Sequence, residues 1–279
     1  MTFREPKLII AIGTKGVGKT HTTCDVIQRY ITPNPSTGKE ARKVLIFDVN
    51  EEYTDEEIAK KGFSFTTKLL DIKDLPKFAL QKRAEVRRIL ARDENGAPLN
   101  LDGKLKMLDM ILQQFKGGML LLEDINSYLI GTASANIIST MTTNRHKDMD
   151  IYIHLQSLSP VTPRMWQNCT VIRFHKQTDS INRYRQRIPN DKLYFIAEAL
   201  VNMVYVHNQR FFCYVDNEYN KISGQFSKKT YQLACYSYLQ DNPLMISQAQ
   251  KRYGKDINAR DKAIKYCLND LMKFYGNKD

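Results

Sequence analysis

Short runs of apolar residues recur through the first part of the chain, and several of them end at a polar or acidic side chain. They lie at residues 8–12, 44–47, 119–122, 151–157 and 170–175. Short, β-rich and mostly unbroken runs of this kind are typical of parallel strands that are buried on both faces. The pattern therefore predicts an α/β fold in which helices flank a central parallel sheet.

Other stretches carry helical or hairpin patterns. Apolar side chains recur at helical spacing over residues 105–115, and a late strand at residues 211–215 is expected to pair across a turn with residues 221–222. The pattern after this hairpin is helical. We therefore expect a main domain over residues 1–224 and a basic helical extension over residues 225–279.

A phosphate-binding motif follows the first apolar run directly. The motif is G-x-x-x-x-G-K-T, here Gly13, Thr14, Lys15, Gly16, Val17, Gly18, Lys19 and Thr20. Backbone N–H groups of such a glycine-rich turn close around the β-phosphate, and the helix expected at residues 20–30 points its positive end at the same oxygens. Lys19 is expected to reach the β- and γ-phosphates and Thr20 to offer its hydroxyl to Mg²⁺. The cofactors predicted are therefore ATP and Mg²⁺, with residues 13–20 and His21 lining the site.

Acidic side chains come directly after two of the apolar runs. Glu123 and Asp124 directly follow residues 119–122. P-loop ATPases carry at such a strand end the carboxylates that bind Mg²⁺ and polarise the attacking water. By strand register, Glu123 is expected to hold the metal through water and Asp124 to act as the base, on a strand beside the P-loop strand. The acidic segment 48–53 is either a ligand site at a strand end or a loop that caps the next helix.

Two further residues are candidates for nucleotide sensing. Gln156 ends a strand, where a glutamine can report the presence of a γ-phosphate or simply complete the hydrogen bonds of the strand end. Arg145 precedes that strand and is expected to reach the nucleotide of a neighbouring subunit. The alternative for Arg145 is an ion pair within the chain, to Asp148 or Asp150. The reserve candidates for this role are Arg164 and Arg173.

Charge and cysteine content narrow the choice of partners and compartment. Lysine plus arginine outnumber aspartate plus glutamate by 42 to 30, which favours nucleic acid as a partner, then an anionic membrane surface, over a merely basic soluble protein. The 5 cysteines form no C-x-x-C pair, so neither a zinc site nor a disulfide framework is indicated. No apolar stretch has the length of about eighteen residues that a membrane crossing needs. We expect a cytoplasmic protein, in the host cytoplasm if it is viral.

These motifs together resemble one family. The P-loop, the segment 48–53, the pair Glu123-Asp124, and Arg145 followed by the stretch 154–157 are similar to the FtsK–HerA superfamily of DNA-pumping ATPases, over roughly residues 7–176. Its HerA-like, viral genome-packaging and zonular occludens toxin-like branches look most similar. The resemblance implies an additional-strand, RecA-like P-loop core, a hexameric ring of identical subunits, and ATP hydrolysis coupled to movement of double-stranded DNA. The Glu-Asp order and the lack of a transmembrane segment depart from the pattern.

The function expected from the sequence is that of an ATP-hydrolysing motor. Such a motor would move DNA in phage or plasmid genome packaging or transfer, with phage or plasmid assembly proteins as further partners. The alternative is an ATP-dependent assembly factor or switch that acts on protein partners without moving DNA. A P-loop kinase is a third option, which would need neither Gln156 nor the basic surfaces.

Overall fold

The computed structural model describes residues 5–125 and 144–277, with the backbone alone at Asn144 and Arg145. The described residues divide into two compact units. The first takes in the chain up to Ala11 and from Gly18 to Thr170, and the second takes in Ile12–Val17 and the chain from Val171 onward.

The first unit is built on a parallel sheet. Its strands are β1 (Leu8–Ile12), β2 (Lys43–Asp48), β3 (Thr67–Leu69), β4 (Val86–Leu90), β5 (Gly118–Leu122) and β6 (Met149–Leu155). They lie in the order β3-β4-β2-β5-β6-β1, and the neighbouring pairs from β3 to β6 are parallel. Every residue of β1, β2 and β5 is buried, as their unbroken apolar runs require. The predicted parallel α/β core is confirmed.

Helices of the first unit connect these strands. They are α1 (Lys19–Ile31), α2 (Asp55–Lys60), α3 (Leu75–Leu80), α4 (Leu101–Gln114) and α5 (Pro163–Asn168). The helices predicted at residues 20–30 and 105–115 are confirmed. Among the described residues, none of the helices combines the length and apolar character that a membrane crossing needs.

The strand order corrects one expectation. The acid-bearing strand β5 is not beside the P-loop strand β1, because β6 lies between them. Parallel strands are joined by crossovers, so adjacency in the sheet does not follow order along the chain. The consequence is that Gln156, one residue beyond β6, projects from a strand between those that carry the P-loop and the acid pair.

The second unit is antiparallel where its strands pair. β7 (Val171–His175), β8 (Phe212–Asp216) and β9 (Lys221–Gly224) form consecutive antiparallel pairs, which confirms the predicted late hairpin. Its helices are α6 (Asp191–Tyr205), α7 (Lys228–Asp241), α8 (Pro243–Gln250) and α9 (Ala259–Met272). The sequence reading did not include α6. The predicted helical character after the hairpin is confirmed, and the domain boundary at residue 224 stays a prediction.

The outer edge of β9 is covered by the segment that follows α9. The N–H of Ile222 donates to the carbonyl of Phe274 (2.7 Å), and the N–H of Gly276 donates to the carbonyl of Ile222 (2.8 Å). The side chain of Asn277 completes the contact by bonding both backbone groups of Gly224. An edge strand that would otherwise offer open hydrogen-bonding groups is thereby satisfied within the unit.

A buried lysine of β2 caps the C-terminal end of helix α3. Lys43 is 3% exposed, and its Nζ donates to the carbonyl oxygens of Phe78 (3.1 Å), Ala79 (2.7 Å) and Gln81 (2.8 Å). The rings of Phe78 and Phe115 lie 5.6 and 5.7 Å from the same nitrogen. An ammonium group has three N–H donors, so these three carbonyls at the helix end use all of them.

Replacing Lys43 by methionine is expected to destabilise the fold by about 2 kcal/mol or more. Methionine keeps an unbranched stem but leaves buried carbonyls without a donor, at about 1–3 kcal/mol for each that water does not reach. The matched control is Lys77→Met on the same helix, where the side chain is 81% exposed and pairs with Asp74. That change is expected to stay within about 0.5 kcal/mol. Urea denaturation midpoints measure both, and equal effects would contradict the capping role.

Candidate active site

The P-loop backbone has the conformation that its glycines allow. A Cβ added at Gly13 would lie 2.6 Å from the Cβ of His175, so a larger residue does not fit there. The N–H of Thr14 donates to the carbonyl of Lys176 (3.0 Å), which fixes this part of the loop within the second unit. Gly16 has a φ of 86°, in the left-handed region that glycine adopts without strain.

The end of the loop belongs to the first unit. Gly18, with a φ of 90°, is the N-cap of α1, which begins at Lys19 and has no acidic residue in its first turn. No side chain of the described residues caps this helix end, so its N–H groups and its positive dipole end are suited to a phosphate. His21 is exposed, and its ring packs edge-on against Phe63 at 5.2 Å.

A carboxylate lies against the P-loop threonine. The hydroxyl of Thr20 donates to Oε2 of Glu52 at 2.8 Å. Glu52 is held in place by Asp48, a fully buried carboxylate that accepts the N–H of Glu52 (2.9 Å) and pairs with Arg88 (3.0 Å). Burial raises the pKa of Asp48, and its bonds to Arg88 and to backbone N–H groups oppose that rise. Asp48 thus shapes the turn and Glu52 contacts Thr20, while the ligand-site interpretation of the segment 48–53 stays a prediction.

The first acid of the predicted pair is buried in a polar network. Glu123 is 5% exposed, and its Oε2 accepts the hydroxyl of Tyr53 (3.2 Å) and lies 2.7 Å from Nδ1 of His154. The other ring nitrogen of His154, Nε2, is 2.7 Å from the hydroxyl of Thr23 on α1. Burial raises the pKa of Glu123, but the charge and hydrogen bond of His154, the Tyr53 hydroxyl and the Lys19 ammonium outweigh it, so the pKa is lowered overall. Glu123 is therefore ionised at neutral pH.

The second acid is held by amides. Oδ1 of Asp124 accepts a hydrogen bond from Nε2 of Gln156 (2.8 Å), and Oδ2 accepts one from Nδ2 of Asn50 (3.4 Å). The backbone of Asp124 has a φ of 44°, a region that aspartate adopts more readily than most residues. The structure thus brings Gln156 and Asp124 together, as two residues of one site would require.

The arginine candidates differ in what the structure shows. The side chain of Arg145 lies outside the described residues, and its backbone is part of a short 3-10 helix, Asn144–Lys147. Arg164 is exposed on α5. Arg173 is 1% exposed within β7, so its guanidinium does not reach the surface that a neighbouring subunit would contact.

Both aspartates considered as ion-pair partners for Arg145 have other partners. Asp148 pairs with Arg42 at 2.6 Å. Asp150 is buried and accepts hydrogen bonds from the hydroxyl of Tyr30 (2.9 Å) and from the N–H of Lys7 (2.8 Å). The ion pair considered for Arg145 itself lies outside the described residues and stays a prediction.

The donor set beside Thr20 fits magnesium. Mg²⁺ prefers oxygen ligands and is usually bound by one or two carboxylates, substrate phosphates and several waters. The Thr20 hydroxyl and the Glu52 carboxylate supply two such ligands side by side. No group of three or more histidine, cysteine, aspartate or glutamate side chains arranged for a metal occurs in the described ranges.

Sequence reasoning missed several residues of this site. Glu52 and Tyr53 lay within the acidic segment and His154 within the stretch 154–157, but none was assigned a role, and Thr23 was not considered. Thr23 follows Thr20 by three residues on a helix and His154 precedes Gln156 by two on a strand, so each shares a face with a predicted site residue. Those spacings are the signal by which they could have been found.

Comparison with known proteins gives fold-level similarity only. No family model and no curated protein matches the chain. Among solved structures, the chain is similar to B204, the DNA-packaging ATPase from Sulfolobus turreted icosahedral virus (TM-score 0.49, 14% identity, 79% of this chain and 97% of that chain). It is also similar to the N-terminal domain of zonular occludens toxin from Neisseria meningitidis (TM-score 0.33, 12% identity, 61% and 76%). A third similar structure is EssC, ATPases 2 and 3, from Geobacillus thermodenitrificans (TM-score 0.37, 12% identity, 64% and 34%).

Replacing Lys19 by alanine is expected to weaken nucleotide binding roughly tenfold to hundredfold, because hydrogen bonds to a charged group contribute about 1.5–3 kcal/mol. Lys82→Ala is the control, since Lys82 is an exposed lysine outside the predicted site and this variant should bind nucleotide unchanged. Binding of a fluorescent ATP analogue measures both variants. Unchanged affinity in the Lys19 variant would remove the assignment of the site.

Proposed function

We propose that this chain is a Mg²⁺-dependent ATPase that translocates double-stranded DNA, in phage or plasmid genome packaging or transfer. The observation that carries the proposal is the 2.8 Å contact between the Thr20 hydroxyl and the Glu52 carboxylate at the start of the P-loop helix. P-loop enzymes bind the metal with a serine or threonine at this place, and here the threonine lies beside an acidic side chain. Both belong to the unit that also contains Lys19, Glu123 and Asp124.

The proposed roles follow from the contacts of each side chain. Lys19 would bind the β- and γ-phosphates, and Thr20, Glu52 and, through water, Glu123 would hold Mg²⁺. The metal, when bound, neutralises charge on the phosphates. Asp124 receives the proton of the attacking water, and Gln156, which bonds Asp124 at 2.8 Å, orients that carboxylate.

A DNA partner is supported by the charge of the chain. Its formal net charge is +12, and phosphate contacts by lysine and arginine dominate protein–DNA affinity. In the second unit the 3-10 helix Ile181–Arg187 exposes Arg183 and Arg187, and the guanidinium of Arg187 lies 5.9 Å from the ring of Tyr184. Interleaved arginine and aromatic side chains suit backbone contact together with stacking on bases.

A ring of identical subunits completes the proposal. Phosphoryl-transfer ATPases often receive an arginine from a neighbouring subunit, which accelerates the reaction by roughly 10³-fold or more. Arg145 is proposed for that role, with the exposed Arg164 in reserve. The burial of Arg173 argues against its use across an interface.

Changing the acidic residues one at a time separates their proposed roles. Asp124→Asn is expected to preserve ATP binding and to lower turnover by about 100-fold or more, because the proton acceptor is lost. Glu52→Gln and Glu123→Gln are expected to raise the Mg²⁺ concentration needed for half-maximal activity.

The control for Glu52→Gln is Glu51→Gln, at the neighbouring residue, which pairs with Arg92. The measurements are steady-state ATPase assays at graded Mg²⁺ and nucleotide binding by fluorescence. If Glu123→Gln stops turnover with its Mg²⁺ dependence unchanged while Asp124→Asn remains active, the roles of the two acids are exchanged.

DNA-stimulated ATP hydrolysis tests the function as a whole. Linear double-stranded DNA is expected to raise kcat several-fold at low salt, and the stimulation should fall as salt rises, because phosphate contacts are screened. The Lys19→Ala protein, assayed in parallel, reports contaminating ATPase. ATP hydrolysis that DNA does not change would favour the assembly factor or switch, and the absence of hydrolysis would remove the ATPase assignment.

A further inference from the structure

One histidine joins the P-loop helix to the acid-bearing strand. His154 in β6 is 1% exposed, and its two ring nitrogens face different elements of the first unit. Nε2 lies 2.7 Å from the hydroxyl of Thr23 on α1, and Nδ1 lies 2.7 Å from Oε2 of Glu123, the residue that follows β5. Both partners are themselves buried, at 0% and 5% exposure.

The two partners of the ring differ in the hydrogen bonds that they can make. An ionised carboxylate only accepts hydrogen bonds, so the nitrogen facing Glu123 must carry a proton. The other nitrogen of the ring shares a hydrogen bond with the Thr23 hydroxyl, which can act as donor or acceptor. The ring therefore joins the Thr23 hydroxyl to the Glu123 carboxylate.

The same residues close a ring of contacts through four segments. Thr20 and Thr23 lie one turn apart on α1, and Thr20 bonds Glu52. The neighbour of Glu52, Tyr53, bonds the same Glu123 oxygen that His154 contacts. The P-loop helix is thus connected to Glu123 by two polar routes, one through the turn after β2 and one through β6.

We propose that His154 is a positioning residue, which holds the Glu123 carboxylate at a fixed place relative to the P-loop helix and thereby to the Mg²⁺ carried by Thr20. The inference rests on the proposed ATP hydrolysis. It assigns His154 no contact with nucleotide or metal. Residues that orient metal-binding groups in this way typically change metal affinity or activity by about 10- to 100-fold when they are replaced.

Three substitutions test the two contacts of the ring separately. His154→Asn keeps an N–H donor near the Nδ1 position but does not reach Thr23, and His154→Leu removes both contacts. Thr23→Val keeps the shape of the side chain and removes its hydroxyl. We expect kcat to fall by about 10- to 100-fold in the leucine variant, with the asparagine and valine variants intermediate. The KM for ATP should stay within about threefold, and half-maximal activity should need more Mg²⁺.

The control is His207→Leu, an exposed histidine in the second unit, which should leave all these quantities unchanged. Each kcat is divided by the folded fraction from thermal denaturation, so that simple loss of fold does not imitate the effect. If the leucine variant does not fold, the asparagine and valine variants decide. Wild-type kcat and Mg²⁺ dependence per folded molecule in all the variants that fold would overturn the inference.

A second measurement keeps this result separate from the ATPase proposal. Mg²⁺ is expected to increase the thermal stabilisation that ADP gives the wild-type protein, and to do so much less in the His154→Leu or Thr23→Val protein. If the wild-type protein does not hydrolyse ATP, the proposed function fails while this shift still tests the role of His154. An equal Mg²⁺-dependent shift in the wild type and the variants would overturn that role.

Discussion

The carboxylate of Glu123 is 5% exposed, and a charge removed from water to that degree must be matched by donors inside the protein. This requirement accounts for much of the site. The Tyr53 hydroxyl and the His154 ring meet one oxygen of Glu123, and the Lys19 ammonium lowers the pKa of the same group. Removing one partner of a buried charge commonly lowers the free energy of unfolding by about 3–5 kcal/mol. The elements that carry these partners are therefore held in fixed relative positions.

A buried ion pair also positions the turn after β2, which carries Glu52 and Tyr53. Asp48 and Arg88 meet at 3.0 Å, and the free lone pairs of Asp48 accept two backbone N–H groups of the turn that carries Glu52 and Tyr53. These buried contacts therefore fix the shape of the turn, and the Glu52 carboxylate on its outer side contacts Thr20. A structural acid and a candidate ligand acid, four residues apart, have opposite environments because only one of them faces the core.

The sequence predicts well what depends on local pattern and poorly what depends on tertiary contact. The P-loop has a sequence motif, and the strands of the parallel core and the late hairpin have runs of apolar residues. The order of β5, β6 and β1 has no such signal, because it depends on where crossovers pass. His154 was overlooked for the same reason: its role comes from Thr23 and Glu123, which are distant in the chain, and a lone histidine in a strand carries no motif. The hydrogen bonds from the side-chain amides of Gln156 and Asn50 to Asp124 likewise appear only once β6 and β2 lie on either side of β5.

The edge contact made by Phe274 and Gly276 bears on how the second unit forms during synthesis. That unit needs Thr14 for its bond to Lys176, across a separation of 162 residues, and Asn277 for its bonds to Gly224, across 53. A domain of this kind cannot complete its hydrogen bonding on the ribosome while only part of it has emerged, since one partner of each pair is made much later than the other. The segment Ile12–Val17 therefore completes its bond to Lys176 only long after it has itself been synthesised.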